Sequence, residues 1–251
     1  MPDEEPTPAR QLRNLPIDAR GYRVPAEAPW TEDGTPVIQA ADPVAKFLLA
    51  AYRACAVCGY PLRRDELAWR IFDDAGRRLT HHQVSQGSGV DEEQAPGHLS
   101  CMLYSALVCP YWRTGGARLG KESTVAPGAA RGAEPAVMGF CDVGLLVDPA
   151  GDMIGLTGPK PVFAYIEYEE EIAFTDPLTD LPERYKVERA AAGGRYIGQK
   201  QRHYAPGNGG IRRKLREAQK AHEVLMNTPE QSTVNYMGVP RFLFSCGWMP
   251  A

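Results

Sequence analysis

Two pairs of soft metal ligands, each pair separated by two residues, stand out in this chain: Cys55-Ala56-Val57-Cys58-Gly59 and Pro96-Gly97-His98-Leu99-Ser100-Cys101. This is what a tetrahedral zinc site asks of a folded chain. The spacing reads as one Cys3His site on Cys55, Cys58, His98 and Cys101, with zinc as the expected cofactor. A Cys-x-x-Cys-Gly run forms a tight knuckle, and its glycine permits backbone conformations that bring amides close to thiolates. His98 and Cys101 sit three apart at the start of a helix candidate over 99–108. Residues at that spacing share a helix face, so both can point at one ion. Four protein ligands close the coordination shell, and catalysis needs an open position, so the expected role is structural.

Two rivals use the same cysteines. An iron–sulfur cluster could take Cys55, Cys58, Cys101 and Cys109, but Cys109 lies about two helical turns beyond Cys101. Two disulfides would require an oxidising compartment, and the chain shows no signal peptide. Cys109, Cys141 and Cys246 read as small buried thiols.

The elements that must position the ligands are partly legible. Asp42-Pro43 caps a helix running to about Tyr52, which delivers the chain into the knuckle. Residues 67–72 look like a strand, Asp73-Asp74-Ala75-Gly76 like a turn, and 79–84 like the returning strand of a hairpin. Knuckle, hairpin, then helix N-terminus is the order of a treble clef. The long gap between the ligand pairs requires a loop over 85–94.

The remaining chain sorts by composition. Residues 1–11 are acidic and proline-rich, which predicts an extended arm, and 12–40 read as ordered coil. Residues 115–136 are rich in Gly, Ala and Pro, a linker or surface loop. Strand patterns occupy 137–147, 153–156 and 162–168, with a turn at 148–152, and a final β-rich segment spans 234–248. Residues 211–226 form an amphipathic helix. The expected fold is α+β: a treble-clef-like Cys3His zinc module, then a β-rich region with one long amphipathic helix. The expected division is an N-terminal arm at 1–40, a zinc module at 41–112, a linker at 113–136 and a β-rich region at 137–251.

The 251 residues are 43% hydrophobic and 24% charged, with net charge −3. That is ordinary for a soluble globular protein and gives no global pull toward nucleic acid. No stretch reaches the apolar length of a membrane span, and a cytoplasmic location is expected.

Charge is nevertheless uneven. Between Arg184 and Lys220 lie eleven cations against only Glu188 and Glu217, with Tyr196, His203 and Tyr204 interleaved. Cations for phosphates and rings for bases are the composition of a nucleic-acid or polyanion surface. Arg195, Lys200, Arg202, Tyr204, Arg212, Arg213 and Lys214 are the candidate contacts. Gly207-Asn208-Gly209-Gly210 before a helix could seat a phosphate. The plainer reading is an exposed helix face that pairs with the acidic run at 167–171 or with a protein partner. Strand alternation would place Glu167, Glu169 and Glu171 on one face, a conceivable hard-metal site.

His81-His82 suggests a degenerate HNH-type nuclease on the zinc scaffold. That chemistry needs a further Asn and a helix His; Met102 follows Cys101, and no Asn occurs between His82 and His98. The leading expectation is therefore a zinc-stabilised, non-enzymatic binding or assembly protein that contacts nucleic acid or a protein partner through its basic segment. A nuclease-like metalloenzyme using His81 and His82 is the alternative. Oligomeric state is open.

Four motifs in order carry a resemblance. They are Leu15-Pro16-Ile17-Asp18-Ala19-Arg20-Gly21-Tyr22-Arg23-Val24-Pro25, then Cys55-x-x-Cys58-Gly59-x-Pro61-Leu62, Pro96-x-His98-x-x-Cys101, and Cys109-Pro110-Tyr111-Trp112. The chain resembles, over 12–112, a family of small uncharacterised proteins of bacteria, notably actinobacteria, and of their phages. Family members have a shorter gap between the cysteine pairs and a Leu where this chain has Trp112, so it looks like a divergent member. The resemblance implies a metal-site scaffold and phage association, and it implies no activity.

Overall fold

The computed structural model describes residues 6–87, 89–92, 94–120, 127–148, 161–196, 198–206, 209–236 and 238–250. The strand expected at 153–156, most of the turn at 148–152, and Gly207-Asn208 of the glycine-rich run lie outside these residues.

The fold is α+β, built on one antiparallel sheet. Strand β3 (Ala136–Val147) is its centre, a nearly unbroken run of buried residues. Strand β4 (Val162–Ala173) pairs along one side of it. The other side is shared: β1 (Ala68–Phe72) takes the first half and β6 (Val239–Ser245) the second. Short β2 (Val90–Glu92) adds to β4, and β5 (Ser232–Tyr236) adds to β6. A strand covered by partners on both edges and by packing on both faces has no polar side to present, which is why β3 reads as a hydrophobic run rather than an alternation.

Helix α1 (Pro43–Ala51) starts as its sequence dictates. The Asp42 carboxylate accepts from Val44 N at 2.9 Å and Ala45 N at 3.1 Å, with Pro43 in the first turn. Helix α3 (Leu99–Val108) is buried almost all round, and Cys109-Pro110 ends it and opens the short α4 (Pro110–Arg113). Helix α7 (Gly210–Met226) sets Ala218, Ala221 and Leu225 inward, and the Ala221 carbonyl accepts from Trp248 Nε1 at 3.0 Å. One hydrophobic cluster runs from Ala9 to Met249 and joins α1, α3, α7 and the sheet.

The hairpin expected between the ligand pairs does not form. Asp73 is an N-cap, its carboxylate accepting from Gly76 N at 2.7 Å, and helix α2 (Asp74–Ser85) occupies the place of the turn and return strand. The strand partner of β1 is β3, more than sixty residues on. One vestige of a hairpin remains: Trp69 and Gly97 exchange backbone hydrogen bonds of 3.0 and 2.8 Å directly before His98. The loop expected at 85–94 contains β2. Residues 6–12 are seated rather than extended away: Ala9, Gln11 and Leu12 are buried in and beside a 3₁₀ turn. Tyr185 of helix α6 (Pro182–Ala191) accepts from Ala9 N at 2.9 Å and donates to Thr7 O at 3.0 Å. Between β4 and α6 sits the short α5 (Pro177–Asp180).

Candidate metal centre

The four ligands come from two places, the knuckle after α1 and the first turn of α3. Gly59 closes the knuckle at φ +71°, with Gly59 N donating to Cys55 O at 2.8 Å. Ala56 N donates to Pro96 O at 2.8 Å, which fastens the first ligand pair to the approach of the second. Gly97 has no room for a side chain: a Cβ there would strike the Met102 methyl and lie 3.1 Å from Cys55 Sγ. Residues 26 and 27 cover the far side through backbone bonds to Val57 and Ala56.

The expected ligands do converge. Cys55, Cys58, His98 and Cys101 are all buried, and one donor atom from each lies within 4.8 Å of the others. His98 Nδ1 stands 3.3 Å from Cys58 Sγ and 3.9 Å from Cys101 Sγ. A tetrahedral ion with bonds of about 2.3 Å to sulfur and about 2.0 Å to nitrogen spaces its ligand atoms about 3.5–3.8 Å apart. The group therefore fits a metal ion. All six cysteines are free, and Cys109 is outside the group. Cys246 is fully buried, whereas Cys141 is only half-buried and turns its sulfur toward Glu169.

Second-layer contacts fix the ring. His98 Nε2 is 3.1 Å from Pro61 O, and since a carbonyl only accepts, Nε2 carries the proton and Nδ1 offers its lone pair. Glu66 Oε1 lies 3.4 Å from the same nitrogen, and Tyr196 packs edge-on to the ring at 4.9 Å. Gln11 Nε2 donates to Ser100 Oγ at 2.9 Å and reaches Cys101 Sγ at 3.6 Å. Burial opposes charge on all four ligand groups. In the metal-free chain it is overcome at Cys55 by hydrogen bonds from Cys101 and Cys58 and by the charge that His98 takes up beside it, which hold the thiol well below its usual range; the neutral ring with a free Nδ1 is the form that binds a metal. Cys101 is pushed up to about 11 by burial and by Cys55. Three buried sulfurs crowded on one another, with burial opposing charge on each, are the setting that a divalent cation relieves.

The sequence missed Gln11, Glu66 and Tyr196 as partners of this centre. A lone Gln in a proline-rich stretch carries no signal of what it will touch. It also missed a strap across the knuckle. Arg202 N donates to Gly59 O at 2.7 Å, and Gln201 Nε2 donates to Cys58 O at 2.7 Å.

That strap changes the reading of the basic segment. Arg202 is buried with its guanidinium 3.6 Å from the Tyr52 ring centre. Tyr204 is buried and donates to Glu217 at 2.8 Å. Neither is available for contact with a polyanion. Lys214 is paired with Asp42 in a largely buried bridge. Arg195 is 3.8 Å from Glu66, and Lys200 is 3.4 Å from Glu217. Of the seven candidate contacts, Arg195 and Lys200 are exposed but paired with acids, and Arg212 and Arg213 are exposed on α7 without such a pair among the described residues, Arg213 giving one N–H to His203 O. Of the acidic run, Glu170 pairs with Arg184 at 3.1 Å.

The other two candidate clusters come apart. His81 and His82 lie on α2 rather than at a strand end, and His81 Nε2 is 2.6 Å from Glu171, which Arg77 also holds at 2.8 Å. Glu167, Glu169 and Glu171 do not share a face. A bulge shifts the register between Gly139 and Phe140, so Glu170 and Tyr168 take consecutive partners on β3 and Glu169 is the extra residue. Glu171 faces α2, and Glu167 sits at φ +55°. Among the described residues, no other group of histidine, cysteine and carboxylate donors converges as the Cys3His group does. Among the described residues, no helix is long and apolar enough to cross a membrane. Comparison with protein-family models, with curated proteins and with solved structures finds no match.

Proposed function

We propose that this chain is a zinc-stabilised binding protein whose metal centre is structural, with the knuckle and helix start of a treble clef, but not its hairpin, holding one ion. One observation carries the reading: three cysteines and one histidine, all buried, present four mutually close donors. That donor set is what Zn²⁺ takes in closed sites, and a closed site leaves no position for a substrate or a reactive water. The ring tautomer fixed by Pro61 O and the amide of Gln11 beside Cys101 support it, because structural metal sites depend on such second-layer partners. The resemblance to a bacterial and phage family fits a reducing cytoplasmic setting, in which three thiols stay available to a metal.

The function that follows is presentation. The ion pins the N-terminal segment, the knuckle, α3 and the strap at Gln201 and Arg202, and Tyr204 ties the strap to α7 through Glu217. The exposed part of the basic segment is then the surface that meets a partner. Elemental analysis of the purified chain tests the reading: one zinc per chain is expected, lost on Cys58→Ser. Iron with visible absorbance, or a metal-free chain that melts as the loaded one does, would refute it.

A further inference from the structure

The structure separates the cations of the basic segment into two sets. Lys214 and Arg202 face inward onto Asp42 and Tyr52, and Arg195, though exposed, is paired with Glu66. Arg212, Arg213, Arg216 and Lys220 are exposed on α7. At 3.6 residues per turn these four fall within about 100° of arc and about 12 Å of axis. They lie opposite the face that carries Ala218, Ala221 and Leu225 against the core. No carboxylate pairs with any of the four among the described residues. The one acid among them, Glu217, is only 18% exposed and is already engaged by Tyr204 and Lys200. Lys200, 61% exposed beside it, extends the patch.

We propose that this outer face of α7 is a docking surface for the phosphate backbone of duplex nucleic acid. The inference rests on the binding-protein reading above and names its partner. Three features favour a duplex. The surface is a convex rod, and a helix of about 10–12 Å diameter matches a major groove about 12 Å wide. About 12 Å of duplex axis presents about seven phosphates, enough for one per cation. The rings that would stack unpaired bases are packed into the fold: Tyr196 against Tyr60 and His98, His203 against Trp30, and Tyr204 onto Glu217. Recognition is therefore by charge alone and blind to sequence, and a single strand gains nothing extra. Exposed Glu223 follows Arg216 and Arg212 on the same face, so contact is confined to the N-terminal two-thirds of the helix. The helix dipole favours phosphate at that end as well.

The test uses the full-length, zinc-loaded chain. Its probes are a labelled 20-base-pair duplex of mixed sequence, a 20-nucleotide oligothymidylate, and phosphatidylserine vesicles. Duplex binding is expected, with four neutralised phosphates giving a log–log salt slope of about −3.6, or a loss of about 150-fold between 50 and 200 mM salt. Arg216→Glu should reduce that slope by about 1. Reversing Arg212, Arg216 and Lys220 together should abolish binding. Zinc content and melting midpoint, measured on the same samples, should not change. Oligothymidylate should bind no tighter than duplex. Ile211 and Leu215, exposed at 53% and 46% on the flank, supply the contrast. If I211S/L215S removes binding while the charge reversals spare it, or if vesicles bind and the duplex does not, the face belongs to a protein or a membrane and the inference is overturned. Absence of duplex binding at 50 mM salt overturns it too. A chain that binds duplex but holds no zinc would instead sink the metal reading and leave this one standing.

Discussion

Gln11→Leu should weaken the metal without unfolding the chain. Gln11 is buried, its Nε2 bonded to Ser100 Oγ at 2.9 Å and reaching Cys101 Sγ at 3.6 Å, while its Oε1 has no partner among the described residues. Leucine nearly matches its volume. The lost amide–hydroxyl bond costs about 0.5–1.5 kcal/mol, and removal of a buried unpaired oxygen returns a similar amount. The metal-free fold should therefore change by about 1 kcal/mol or less. The contact to sulfur behaves differently, because the sulfur bears charge when it ligates a cation. Outer-layer partners of this kind change metal affinity about 10- to 100-fold, or about 1.4–2.7 kcal/mol. Competition against a chromophoric chelator measures that affinity, and melts with and without zinc separate it from stability. Unchanged zinc affinity with a lowered metal-free melt would show that Gln11 only packs, and the argument would fail.

Cys58→Ser, or strong chelation, should remove the metal and lower stability in a single transition across the chain, because one core cluster joins the knuckle to the sheet. A calorimetric trace in which the sheet melts at its original temperature would show the site to be peripheral. Gly59→Ala should cost about 1.5–3.5 kcal/mol, combining about 1–2 of left-handed strain with about 0.5–1.5 for loss of the strap's bond, since its Cβ would strike the Arg202 carbonyl. Gly21→Ala, at φ +91° with nothing within 4 Å, should cost only the strain, and equal losses in denaturant titrations would contradict the strap. Burial holds the His203 ring below its ordinary value, so the folded chain resists a proton that the unfolded chain accepts. Stability should fall as pH drops below about 6.5, and His203→Asn should flatten that part of the pH–stability curve relative to the parent.

Local chemistry was legible where it was decisive. Asp42-Pro43 starts α1, and residues 99–108 form α3, because a cap or an apolar run leaves one outcome. Asp73-Asp74-Ala75-Gly76 was ambiguous for a physical reason: an Asx side chain that serves a turn also serves as an N-cap. Leu79 suggested a strand core, but on α2 it lies exposed. The pairing of β1 with β3 depends on a contact across more than sixty residues, which no local pattern encodes. The bulge at Glu169 reverses a face assignment that strict alternation would give. The four metal ligands were readable because metal geometry imposes spacing on the sequence itself. Their outer partners Gln11 and Tyr196 were not, since nothing fixes their distance along the chain.

The basic segment shows how composition and structure divide the same charges. Arg202 loses hydration on burial and gains the face of Tyr52. Lys214 reaches back to Asp42, the residue that caps α1 and so sets the entry into the knuckle. Tyr204 joins the strap to α7 through Glu217. Cys58 O and Gly59 O each hold the strap by a 2.7 Å bond. The orientation of α7 is set by Lys214 and by Ala218, Ala221 and Leu225. The metal centre and the exposed cations thus share one set of supports. Through Tyr204–Glu217 and Lys214–Asp42, the strap and the entry to the knuckle are tied to the helix that carries Arg212, Arg216 and Lys220. A purely electrostatic surface on a chain of net charge −3 depends on that orientation, because only a concentrated patch outweighs the surrounding acids.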